Sequence, residues 1–156
     1  MLNHLKVLAG ATVVAGILLG GSAASAQEPA APAEPAKPVF TIGGEAAIIT
    51  MLIKPDKTAD FEMVLARLKE ALQKSENPRR REQAAGWKVF KSAQLAQGNA
   101  VYIMRIDPVV SNEEYDITRL IAEVFPVEVQ ELFLKYKDAF AGRGVTELTA
   151  LMSMGQ

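Results

Sequence analysis

The chain is 156 residues long and sets 17 Lys and Arg against 18 Asp and Glu, a balance with no electrostatic footprint for nucleic acid or an anionic membrane. It has no cysteine and one histidine, His4, which excludes disulfides and thiolate nucleophiles. If the first 26 residues leave as an export signal, the histidine leaves with them, and with it His-based nucleophile arrangements and nearly all zinc chemistry.

Residues 1–26 read as that signal. Met1–Lys6 carries one lysine, Val7–Gly21 is apolar apart from Thr12, and Ala24-Ser25-Ala26 has small residues where a signal peptidase reads. The apolar stretch falls short of the roughly 20 residues a helix needs to cross a bilayer. The expectation is cleavage after Ala26, a periplasmic or secreted product and no stable membrane insertion, with an uncleaved anchor as the other reading. Loss of Lys6 leaves the product slightly acidic.

Residues 27–39 form a linker. Pro29, Pro32, Pro35 and Pro38 recur every third residue among Ala and Glu, the spacing of a polyproline II turn. A stiff spacer explains this segment without the aromatic or Arg anchors that a proline-binding groove selects.

The folded domain is expected over residues 40–156. Ala46–Lys54 is β-branched and apolar on both alternating sets, the pattern of a strand covered on both faces, and Pro55-Asp56 ends it. Thr58–Lys74 is a helix whose Phe61, Val64, Leu65, Leu68 and Leu72 share one face. Asn77-Pro78 stops it, and Pro78–Ala85 makes a further short helical turn closed by Gly86. Trp87–Leu95 and Ala100–Asp107 read as two strands of a hairpin around Gly98-Asn99. Ser111 and Glu114 have the spacing of a capping box before a helix with Tyr115, Leu120, Ile121 and Val124. Pro126 opens a second helix with Val129, Leu132, Phe133, Tyr136 and Phe140 buried; Gly142 and Gly144 are stop signals, and Val145–Met152 is the last strand.

This order, strand-helix-strand-strand-helix-strand, predicts an α+β ferredoxin-like fold: a four-stranded antiparallel sheet with helices on one face and the first and third strands central. Splitting the strands by alternation puts Ile49, Met51, Ile53, Tyr102, Met104, Ile106, Leu148, Ala150 and Met152 beneath the helices. Ile48, Thr50, Leu52, Val101, Ile103, Arg105, Glu147, Thr149 and Leu151 fall on the other face. That face is too apolar to be left in water, so a second copy of the sheet is expected to cover it, enclosing a cavity lined by Thr50, Arg105 and Glu147.

The element order and the doubly covered sheet resemble the dimeric α/β-barrel superfamily, which includes antibiotic-biosynthesis monooxygenase-like domains. Gln83-Ala84-Ala85-Gly86-Trp87-Lys88 and Tyr102–Pro108 are similar to an exported branch of it. The resemblance implies a homodimer and a pocket in the lumen or between helices and sheet, but no single chemistry. Haem-handling members present an iron ligand, commonly His, which residues 27–156 lack, so no family catalytic residue carries over.

The candidate ligand-binding residues are Thr50, Arg105, Glu147 and Trp87. Arg105 and Glu147 either orient a polar group of a ligand or form an ion pair within the sheet or across the dimer. Trp87 and Tyr102 either stack on a ligand or fill the core, and the parity of Tyr102 favours the core. Arg79-Arg80-Arg81 reads as a solvated basic run, and the methionines as core filling rather than copper ligands. No GxGxxG or phosphate-binding loop occurs, so no cofactor and no metal is expected. The leading expectation is a non-catalytic dimer that binds a small, largely apolar molecule or serves as an envelope accessory protein. The alternative is a cofactor-free oxygenase or isomerase acting on an aromatic or lactone substrate, with Arg105 or Glu147 polarising it.

Overall fold

A computed structural model describes residues 37–155. The proposed signal and most of the proline-rich linker lie outside the described residues. The elements are β1 (Ala46–Ile53), a 3-10 turn (Pro55–Lys57), α1 (Thr58–Lys74), α2 (Pro78–Gly86), β2 (Trp87–Ala96), β3 (Asn99–Ile106), α3 (Ile117–Ala122), α4 (Val129–Ala139) and β4 (Phe140–Leu148). The strands form one antiparallel sheet in the order β2-β3-β1-β4, so the fold is α+β with β1 and β3 in the middle.

Alternation decides which strand residues reach the core. Ala47, Ile49, Met51 and Ile53 of β1 are buried, as are Ala100, Tyr102, Met104 and Ile106 of β3. They pack with Phe61, Val64, Leu68, Ala71 and Leu72 of α1, Ile117, Leu120 and Ile121 of α3, and Leu132 and Ala139 of α4 in one cluster. Helices α1, α3 and α4 therefore contribute to the same side of the sheet, and Ala84 of α2 packs against their cluster. Each fully buried aliphatic or aromatic side chain in such a cluster contributes about 1.5–3 kcal/mol.

Three local expectations are corrected. The Ser111 capping box does not form: Asp116 is the N-cap of α3 and accepts from the Arg119 amide at 3.0 Å, while Glu114 turns back to the segment entering β1. Gly142 and Gly144 lie inside β4 instead of ending α4, because backbone pairing with β1 extends from Phe140 to Leu148. The strand thus starts five residues earlier than Val145 and ends before Ala150. Arg80 is not solvated: it is 6% exposed and reaches Glu123 at 2.6 Å, Glu113 at 2.8 Å and Gln83 at 2.8 Å, a polar knot that ties α2 to the connection before α3 and to the C-cap of α3.

The first and last described segments are also tied down. Glu114 accepts from the amides of Val39 at 2.8 Å and Phe40 at 3.0 Å, and Arg119 donates to the carbonyl of Lys37 at 3.1 Å. After β4, the amide of Ala150 donates to Glu45 at 2.9 Å. Among the described residues no helix is long and apolar enough to cross a membrane.

Candidate functional site

The register of the sheet locates the four residues singled out from the sequence. Thr50 of β1 lies opposite Ile103 of β3, and Arg105 lies opposite Ile48, so Thr50 and Arg105 share the face turned away from the helices. Glu147 does not join them. It lies opposite Ala47, a residue of the core parity, so it emerges on the helix side of β4. There it is exposed and accepts the Gly43 amide at 3.1 Å. The apolar set Leu148, Ala150 and Met152 points to the opposite parity, but β4 ends at Leu148 and its register sets Leu148 opposite Ala46, on the face away from the helices. A cavity lined jointly by Thr50, Arg105 and Glu147 is therefore not formed on one sheet face. Arg105 instead pairs with Asp107 two residues along at 2.8 Å, and both are well exposed.

Trp87 opens β2 opposite the buried Ile106, so it too faces the helix side. Its ring packs 5.6 Å from that of Tyr115, and its indole Nε1 is buried without a hydrogen-bond partner. Trp87 forms part of the wall of a groove of about 460 Å³ between α1 and the edge strand β2. Leu65, Leu68, Leu72, Ala84 and Val89 supply the rest of its apolar lining. The groove exists because α1 packs its Phe61–Leu72 stripe over β1 and β3, while β2 continues the sheet beyond the helix. Val89, opposite Met104, points to the helix side yet remains 41% exposed.

One end of the groove is polar. The Tyr102 hydroxyl donates to Glu62 Oε1 at 2.6 Å, and Lys91 Nζ donates to the same oxygen at 2.8 Å. Lys91 and Tyr102 are cross-strand partners, and the ammonium lies 5.4 Å from the phenol ring centre. The Phe61 ring meets Tyr102 edge-on at 4.8 Å and fixes it from beneath. Hydrogen bonds from Lys91 and then Tyr102 hold the Glu62 carboxyl below its ordinary range. The bond to Glu62 raises Lys91 in turn. Burial, then the bond to Glu62, pushes the Tyr102 phenol up. Lys69, on the same helix, also lines the groove.

Sequence reasoning named Trp87 and Tyr102 and missed Glu62, Lys69 and Lys91. Glu62 and Lys69 belong to the charged remainder of the α1 pattern, where each looks like an ordinary surface charge. The available signal was the shared parity of Trp87, Val89 and Lys91, which puts a lysine on the helix side of an edge strand.

The chain has no match among protein-family models, curated proteins or solved structures.

Proposed function

We propose that this chain is an exported, dimeric, non-catalytic binding protein of the ferredoxin-like α/β-barrel type, which carries or senses a small, largely apolar molecule. The observation that carries the binding part is the groove between α1 and β2: about 460 Å³, within the size range of ligand sites, mainly aliphatic and aromatic, with a few convergent polar groups at one end. The electrostatics of that end favour recognition over proton transfer. Glu62 is driven towards its anion, Lys91 towards its cation, and Tyr102 towards its neutral phenol. In each case the shift carries the group's titration away from neutral pH, where a general acid or base works best.

Dimerisation is supported by the opposite face of the sheet. Ile48, Leu52, Val101 and Ile103 are only partly covered there, Phe90 is 51% exposed and Leu148 is 41% exposed. Gly142 and Gly144 lie beside Leu52 and Thr50, leaving a strip without side chains on which a second sheet can settle closely. Export rests on the three-part pattern of residues 1–26.

The groove is tested with a neutral fluorescent probe, N-phenyl-1-naphthylamine. Trp87 is the only tryptophan and lines the groove, so bound dye should receive energy from it. One dye per chain is expected, lost in Ala66→Phe, which places a ring in the groove from an exposed position of α1. No uptake, or uptake that Ala66→Phe leaves unchanged, would overturn the reading.

A further inference from the structure

The groove is unequally charged, and this bears on what it holds. The acidic and basic side chains that line it are Glu62, Lys69 and Lys91. Two cations face one anion. Lys91 is held by Glu62 and Lys74 by Glu70, whereas Lys69 makes no ion pair among the described residues. Elsewhere on α1 the cations are matched: Arg67 is bound by Glu70 and Glu128. The one unmatched lysine of this helix lies on the rim of its apolar groove.

We infer that the ligand is a small monocarboxylate with an apolar body, its chain or ring lying against Leu65, Leu68, Val89 and Trp87 and its carboxylate between Lys69 and Lys91. This rests on the binding function proposed above and adds the head group. Glu62 and Lys69 are two turns apart on α1, roughly 10 Å along the axis. Lys91 is at the Glu62 end, so a carboxylate between them is within reach of both flexible lysine stems. Such an anion brings the groove to neutrality. A cationic head would add a third positive charge to the rim, and a neutral alcohol would leave Lys69 unmatched. The bond from Tyr102 to Glu62 also has a place in this arrangement: together with Lys91 it satisfies Glu62 Oε1, so the one anion of the groove is already matched before a ligand enters.

The test compares decanoate with 1-decanol, which share a body and differ in the head, by following Trp87 fluorescence of the chain at low ionic strength. Decanoate is expected to bind about tenfold more tightly than decanol. Lys69→Gln removes a charge that no fold contact uses; it should weaken decanoate severalfold and leave decanol unchanged. Rising salt should erode the difference between the two ligands. If decanol binds as well as decanoate and Lys69→Gln affects neither, the carboxylate assignment is wrong while the apolar groove stands. If neither ligand binds and the neutral dye is also refused, both readings fall together.

Discussion

Glu114 shows how a single side chain can join distant parts of this chain. It is 4% exposed, and its two oxygens accept four donors: the amides of Phe40 and Asp116 on one, the amide of Val39 and the Arg119 guanidinium on the other. Burial pushes its carboxyl up, but those donors together outweigh burial and leave it below the ordinary 4.5. A depressed carboxyl stabilises the fold above its unfolded-state value, and that contribution is lost as pH falls through the folded-state value. Glu114→Gln puts an amide NH₂ where an oxygen met two donors, and is expected to cost about 2–3 kcal/mol at pH 7. Urea unfolding of both proteins between pH 7 and pH 3 checks this. The gap between their midpoints should begin to narrow as pH falls below about 4.5, where the unfolded chain's carboxyl takes up its proton, and should narrow further as pH falls through the lower native value. A gap constant across that range would mean the carboxylate charge is not what holds Val39 and Phe40.

At the scale of elements, the turn joining β2 to β3 carries its own prediction. Ala96 and Asn99 pair across it, leaving Gln97 and Gly98 as the two central residues, with φ of 52° and 77°. Positive φ at both positions is the requirement of a type I′ turn, which Gly meets freely and Gln does not. Gln97→Asn should stabilise the chain by several tenths to about 1 kcal/mol, read as a raised urea midpoint with an unchanged slope. The hairpin itself was legible because two extended runs flank a glycine, and α1 because Phe61, Val64, Leu68 and Leu72 repeat at helical spacing. The last strand was not. Gly142 and Gly144 look like stop signals locally, yet pairing with β1 outweighs that preference, and the register of that pairing sets Glu147 opposite Ala47, on the helix face. The four candidate residues thus divide three ways: Thr50 stays with Arg105, Glu147 leaves them, and Trp87 enters a groove. The groove was out of reach for a different reason. It depends on how far α1 extends across the sheet, and no local spacing encodes that.

For the whole molecule, the two faces of the sheet have unequal cover. The helix side buries a full hydrophobic cluster, while the other presents Ile48, Leu52, Val101, Ile103 and Phe90 with no layer above them among the described residues. Ile103 lies at the centre, flanked by Thr50 on β1 and Phe90 on β2. A proposed sheet-to-sheet homodimer would bury it most completely, and central, fully desolvated side chains dominate such interfaces. Ile103→Arg should therefore act on association and not on folding, because in a single chain the side chain points away from the core. The expected loss is about 2–4 kcal/mol of dimerisation, thirtyfold to a thousandfold in dissociation constant. Sedimentation velocity at micromolar concentration should find the unaltered chain dimeric and Ile103→Arg monomeric, with the same far-ultraviolet circular dichroism. Val89→Arg, on the helix side of β2, should stay dimeric while losing the neutral dye, since it charges the groove and leaves the open face untouched. A monomeric unaltered chain, or a dimer that survives arginine at Ile103, would mean that another surface or another partner covers this face.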